Sequence, residues 1–193
     1  LSDDIFWETT KFLEFHSLVA LAGATRTIRR RIHSRFMSNY DANLRHYVDC
    51  PEGLRSLMRA TGAVISGSCS QEFLHRVRHS DSAGDLEIYT PFEFHQSFLN
   101  YLMVVEGYST EFISYADVGN EELNPGVYAV ATLVIPDFTN DWQARVRVIA
   151  SIDSCPFIPI LCSHSTTLMN WIGPDSLTVL YPVLTFAKRG LIN

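Results

Sequence analysis

The chain has 193 residues, of which 47% are hydrophobic and 19% charged, and its formal net charge is −6. This balance is typical of a globular protein and excludes a disordered chain. A chain of this length can form a sufficient core without disulfides or a structural metal. The acidic charge disfavours wholesale electrostatic binding of nucleic acid, which is typical of basic domains.

Residues 1–8 carry acidic charge and no apolar run, so no signal peptide is predicted there. The apolar stretches of the chain are too short and interrupted to span a bilayer. We therefore expect an intracellular, cytoplasmic protein without a membrane partner.

Residues 1–60 predict a helical segment. A first helix, capped by Ser2, carries apolar residues at three- and four-residue steps between positions 5 and 15. A second helix is predicted over 25–37, and Asp41 can cap a short third one. A further helix follows Pro51. The second helix carries a cluster of arginines, at positions 26, 29, 30, 31 and 35, which suit bidentate pairing with carboxylate or phosphate.

The periodicity changes after residue 62. Residues 63–65 predict a short buried strand, and residues 85–89 alternate as a second strand. A helix runs between them, and another is predicted from Pro91, which suits a first helical turn.

The second half is richer in strands. Residues 127–135 and 145–152 predict strands, and so do residues 177–180. An acidic loop is predicted over 117–126, and a short helix over 165–171. Together the elements predict one α+β domain, in which the N-terminal helical segment of residues 1–60 packs on an α+β core of residues 61–193.

A phosphate site is predicted where the first strand ends. A strand that ends in Gly67-Ser68 and continues into a helix directs backbone N–H groups and a hydroxyl toward open space, where they can bind phosphate oxygens. Asp85 and Glu87 project from one face of the next strand. Two neighbouring carboxylates repel each other unless a cation lies between them, and oxygen ligands favour Mg²⁺. These residues predict a nucleotide site with bound metal.

The stretch Ser66-Gly67-Ser68, followed by Asp85-Leu86-Glu87-Ile88, resembles the signature of the DNA polymerase β-like nucleotidyltransferase superfamily. That signature is a hydrophobic strand ending in Gly-Gly or Gly-Ser, a helix, and then Asp-x-Asp or Asp-x-Glu among hydrophobic residues. The chain also resembles a group of uncharacterised basidiomycete proteins with a Gly-Ser … Asp-Leu-Asp/Glu motif. The stretches that carry this second resemblance are 63–68, 85–89, 107–108, 164–170 and 181–182.

The resemblance implies a nucleotidyltransferase-like mixed β-sheet flanked by helices. It further implies that Gly67 allows close approach of the phosphates of an NTP and that Ser68 donates a hydrogen bond to them. Asp85 and Glu87 would bind Mg²⁺ or Mn²⁺, and a third carboxylate on a later strand would activate the acceptor hydroxyl. The metals would stabilise charge on the attacking and leaving oxygens.

The sequence departs from this pattern in two places. The interval between Ser68 and Asp85 is long, because residues 81–84 enlarge the loop. The strand at 145–152 is the natural source of a third carboxylate, yet its middle holds Arg147. Other acids, namely Asp137, Asp141 and Asp153, are not convincingly placed, so general-base activation has no obvious source.

Two local alternatives stay open. Gly67-Ser68 can be a simple turn in which the serine is a helix N-cap. Asp85 and Glu87 can form a solvent-facing strand edge paired with Arg76 or Arg78.

Three functions follow from these alternatives. The first is a metal-dependent enzyme that transfers a nucleoside monophosphate from NTP to a hydroxyl of a protein, an RNA or a small molecule. The second is a catalytically inactive protein of the same fold that acts as a binding or regulatory module. The third is an RNA-binding protein that uses the arginines of residues 26–35.

Overall fold

The computed structural model of the chain describes residues 3–75, 84–115, 124–135 and 144–192. The described strands are β1 (Val64–Ser66), β2 (Leu86–Thr90), β3 (Ser109–Tyr115), β4 (Val127–Val134), β5 (Arg145–Ser151), β6 (Asn170–Ile172) and β7 (Leu177–Val179). The described α-helices are α1 (Asp3–Thr10), α2 (Phe15–Ala22), α3 (Arg26–Leu44), α4 (Pro51–Thr61), α5 (Gly67–Leu74), α6 (His95–Val104), α7 (Ile158–Leu161) and α8 (Pro182–Phe186).

The strands form one mixed sheet in the order β3-β4-β5-β2-β1-β6-β7. At its centre, β2 pairs antiparallel with β1 and parallel with β5. The register places Glu87 opposite Ser66 on one side and opposite Arg147 on the other. The chain is therefore a mixed α/β protein, which confirms the predicted α+β class.

The main core lies between the sheet and the helices α3, α4 and α6. Alternation along β2 directs Leu86 and Ile88 into this core, where both are fully buried. The helical side contributes large buried side chains, namely Tyr40 and Leu44 from α3, Leu54 and Met58 from α4, and Phe98 and Leu102 from α6. The second half of the helical segment 1–60 thus packs into the same core as the sheet.

The opposite face of the sheet carries a smaller apolar cluster. Val127, Val130 and Ile149 are buried there, and Tyr89 packs against them. Glu87 lies on this face, because it alternates with Leu86 and Ile88 along β2.

The N-terminal helices differ from their predicted bounds. The first predicted helix is two helices, and the chain turns between Thr10 and Phe15. The predicted cap Ser2 lies outside the described residues. Asp41 does not cap a new helix: α3 continues through it, and its carboxylate pairs with Nε of Arg55 at 3.0 Å. A long-range ion pair has overridden a local capping preference.

The other corrections concern residues after 90. The helix predicted from Pro91 begins only at His95, after a short 3₁₀ turn. The helix predicted over 165–171 is wrong: a 3₁₀ turn over Thr166–Leu168 is followed by β6, because this segment pairs with β1 and β7. The strands predicted near 63–65, 85–89, 127–135, 145–152 and 177–180 are confirmed to within one residue at each end, as β1, β2, β4, β5 and β7. Most of the loop predicted over 117–126 lies outside the described residues, and β3 was not predicted.

Candidate functional site

Gly67 lies where β1 ends and α5 begins, beside the carboxylate of Glu87. Its φ of 75° belongs to the left-handed region that favours glycine. A Cβ added at this position would overlap the Glu87 side chain. Glycine is therefore required here for two reasons, the backbone conformation and the close approach of a carboxylate.

Ser68 follows within the first turn of α5, and it is exposed. It is not the N-cap of this helix, because Ser66 occupies that position and its hydroxyl donates to the carbonyl oxygen of Asn170 at 2.5 Å. A Cβ added at Gly84 would lie 2.7 Å from the Ser68 hydroxyl oxygen. The Ser68 hydroxyl is thus free of the capping role and lies against the residue that precedes Asp85.

Glu87 is held by two partners on the same face of the sheet. Nη1 of Arg147 lies 2.9 Å from its Oε1, and the hydroxyl of Tyr89 donates to its Oε2 at 3.0 Å. The Glu87 side chain is only 18% exposed, so this pair is shielded from solvent on most sides. Burial, and then the neighbouring Glu87 charge, raise the pKa of Tyr89, which keeps its hydroxyl protonated as a donor.

Asp85 lies two residues before Glu87, at the start of β2, and is half-buried. Among the described residues it makes neither a hydrogen bond nor an ion pair. The hydroxyl of Tyr47 donates at 2.7 Å to the carbonyl oxygen of the adjacent Gly84. Burial is the main cause that raises the pKa of Tyr47, and the charge of Asp85 contributes to it. Asp85 therefore supplies a carboxylate without a cationic partner in the part of the chain that the structure describes.

A further polar side chain lies beside Arg147 on the next strand of the sheet. The register places Thr132 of β4 opposite Arg147. The Thr132 side chain is buried, and its hydroxyl oxygen has no hydrogen-bond partner within the described ranges. Glu87, Arg147 and Thr132 thus form one row of polar groups on three neighbouring strands.

The structure brings the predicted site residues together. Gly67 meets Glu87, and Ser68 meets Gly84 next to Asp85. The proposed pairing of these acids with Arg76 or Arg78 concerns residues outside the described ranges.

The donor set in this part of the structure does not fit a two-metal centre. Within residues 3–75, 84–115, 124–135 and 144–192, no group of three or more His, Cys, Asp or Glu side chains could hold a metal ion. Both oxygens of Glu87 are already engaged by protein groups. Arg147 occupies the strand position where a third carboxylate was expected, while Asp137 and Asp141 lie outside the described residues.

Sequence reasoning missed the two tyrosines of the site. Tyr89 shares the face of Glu87 because it is two residues further along β2, and the alternation of residues 85–89 already contained that signal. Tyr47 is brought to Gly84 from the end of α3 by tertiary packing, and no local sequence pattern could have found it.

Comparison of the chain with protein-family models, with curated proteins and with solved structures gave no match. Separately, none of the helices within the described residues is long and apolar enough to cross a membrane.

Proposed function

We propose that this protein is a nucleotide-binding module with a nucleotidyltransferase-type site, in which Arg147 rather than a metal ion neutralises Glu87. The observation that carries the proposal is the 2.9 Å ion pair between these two side chains, in register on adjacent parallel strands beside the Gly67 turn. An arginine so placed supplies positive charge without metal, and it leaves no carboxylate at this position to act as a general base.

Three kinds of donor support phosphate binding here. The first turn of α5 offers backbone N–H groups that have no partner inside the helix, and the helix dipole favours an anion at that end. The Ser68 hydroxyl is exposed in the same turn. The guanidinium of Arg147 is 37% exposed and keeps donors beyond the one that binds Glu87.

The negative charge of Asp85 opposes phosphate binding. The same charge distinguishes a metal-free binding module from a metal-dependent transferase. Asp85 and Glu87 bring two negative charges to the site, and Arg147 brings one positive charge. In a metal-free module the surplus negative charge of Asp85 repels phosphate, so neutralising it should strengthen nucleotide binding. In a metal-dependent transferase Asp85 would be a metal ligand, so the same change should weaken binding.

The proposal is tested by thermal unfolding with each of ATP, GTP, CTP and UTP, in EDTA and in Mg²⁺. We expect at least one nucleotide to raise Tm as much in EDTA as in Mg²⁺. Asp85→Asn should tighten metal-free binding by about fivefold, corresponding to about 1 kcal/mol for a screened charge. Ser68→Ala should weaken binding by roughly three- to tenfold, as expected for one hydrogen bond. Ser154→Ala, which changes an exposed serine outside the site, is the matched control.

If the rise in Tm requires Mg²⁺ and disappears in Asp85→Asn, the proposal of a metal-free module is wrong and the metal-dependent transferase is supported. Absence of any nucleotide effect in both buffers would overturn both. Transfer of a nucleoside monophosphate to a hydroxyl acceptor, and RNA binding by the arginines of residues 26–35, stay predictions.

A further inference from the structure

A cavity of about 770 Å³ runs along α3, away from Gly67 and Glu87. The helices α1 and α2 line it, and so do Phe73 of α5 and Leu177 of β7. The α3 residues that line it extend from Arg29 to Asn43, about 21 Å along the helix axis. Both the volume and the concave shape are within the range of small-molecule sites. We call this cavity the α3 groove.

The floor of the α3 groove is aromatic. The ring centroid of Phe36 lies 5.3 Å from that of Phe73 and 6.3 Å from that of Phe15. All three side chains are only half-buried. A continuous apolar strip is therefore accessible from within the groove.

The wall formed by α2 is apolar without being buried. Its sequence is Phe-His-Ser-Leu-Val-Ala-Leu-Ala, and none of its eight residues is buried. Val19, which lines the groove, is 57% exposed. Burial of apolar surface is the main driving force for such a helix to pack. A ligand that covers this face would therefore gain binding free energy from the apolar surface that it buries.

Positive charge lies where α3 contacts α1 and α2. Arg29 donates from Nε to the carbonyl oxygen of Ala22 at 3.3 Å, and Arg35 lies over the Trp7 ring at 5.8 Å. Neither guanidinium has a carboxylate partner among the described residues. Asp175 also lines the groove, and it is held by Arg59, with Nε 2.6 Å from Oδ2.

The helical repeat places Arg29, Ile32 and Phe36 on one stripe of α3. A cation at one end of an apolar stripe matches a ligand with an anionic head and a linear apolar body. We propose that the α3 groove binds a long-chain carboxylate, with its head group on Arg29 and its chain on Ile32, Phe36 and Phe73.

The test uses dodecanoate below its micelle concentration, with binding measured by calorimetry and by the fluorescence of Trp7. Octanoate should bind at least tenfold more weakly, because each CH₂ removed costs up to about fourfold in affinity. Dodecan-1-ol, which lacks the charge, should bind roughly tenfold more weakly than dodecanoate.

Variants of exposed groove residues locate the ligand. Arg29→Gln should weaken dodecanoate binding by roughly tenfold without affecting dodecan-1-ol. Val19→Ser should weaken both ligands by a few-fold. Two controls should leave binding unchanged: Arg30→Gln on the same helix outside the groove, and Val104→Ser, an exposed valine on α6. Because all four residues are exposed, the variants should fold, and unchanged Tm without ligand checks this.

Equal affinity for dodecanoate in Arg29→Gln and Arg30→Gln would overturn the assigned head-group contact. Equal affinity in Val19→Ser and Val104→Ser would overturn the assigned chain site. Absence of dodecanoate binding would overturn the proposal, whether or not the chain dimerises through this face or binds anionic phosphatidylglycerol vesicles.

Discussion

The Gly67 turn and the α3 groove are joined by α5, whose first residues form one and whose Phe73 lines the other. At the Gly67 turn Glu87 binds Arg147 and Tyr89, and Ser66 binds the carbonyl oxygen of Asn170, whereas Asp85 has no partner among the described residues. Along the groove, half-buried aromatic rings and exposed arginines line a cavity of about 770 Å³.

The two regions differ in how far the rest of the chain fixes them. The turn lies on the central strands and is fixed by strand pairing and by the core beneath it. The apolar wall at α2 contributes no buried residue, so its packing adds little to folding. A region that is incompletely buried by its own chain has surface available for a ligand.

The largest expected effect comes from truncating one apolar side chain in each region. Ile65→Ala removes a fully buried side chain from β1 and should lower the free energy of unfolding by about 2–5 kcal/mol, since it leaves a cavity. Leu18→Ala on α2 removes a half-buried side chain and should cost less than about 1 kcal/mol. Urea unfolding followed by circular dichroism measures both.

Similar losses for the two variants would show that α2 is as integral to the core as β1. Leu21→Ala, at a second half-buried position on α2, tests whether the small loss expected for Leu18→Ala holds elsewhere on this helix.

Sequence reasoning was most successful at the turn and least successful at the groove. Local patterns were sufficient for β1 and β2, because a buried strand and an alternating strand are visible in a few residues. The same patterns predicted a helix over 165–171, whereas pairing with β1 and β7 makes residues 170–172 a strand. Tertiary pairing there outweighs local propensity.

At the candidate site, too, local sequence patterns predicted which residues lie together but not their tertiary partners. The proximity of Gly67, Ser68, Asp85 and Glu87 could be predicted from a strand-turn-helix motif and the alternation of β2. The partners of Glu87 depend on register, which no single segment contains: only the parallel pairing of β2 with β5 places Arg147 opposite Glu87. The α3 groove could not be predicted, because it is formed by elements separated by more than 150 residues.

The cost of replacing Gly67 has two parts, backbone strain and close packing against Glu87. Gly67→Ala should destabilise the protein by about 2–4 kcal/mol, because a left-handed alanine is strained and its Cβ overlaps the Glu87 carboxylate. Gly62→Ala is the matched control: its φ is 77°, and no atom of the described residues lies within 4 Å of the added Cβ. That variant should lose only the strain, about 1–2 kcal/mol.

Thermal and urea unfolding measure the stability lost in Gly67→Ala and in Gly62→Ala. A double variant isolates the contact between the added Cβ and Glu87. Glu87→Ala removes the side chain that Cβ meets, so the cost of Gly67→Ala in that background should fall to the cost of Gly62→Ala. A cost that stays unchanged would show that Glu87 does not pack on this turn.

The smallest predicted effect concerns the ion pairs that join the groove to the core. Arg59 on α4 bonds to Glu52 on the same helix and to Asp175 at the β6–β7 turn, and these bonds hold the pKa of each carboxyl below its usual value of 4.5 and 3.8, respectively. A lowered folded-state pKa stabilises the protein above the unfolded-state value, and this contribution disappears as pH falls through the folded-state value. The loss should therefore occur below about pH 4.5, and it should be small because both carboxylates are substantially exposed. Arg59→Gln should lower Tm slightly at pH 7, and this Tm difference should shrink as pH falls below about 4.5, while Arg45→Gln, at an exposed arginine just after α3, should not change Tm at either pH. If the Tm difference between Arg59→Gln and the parent protein did not shrink at low pH, arginine packing rather than charge would join this wall of the groove to α4.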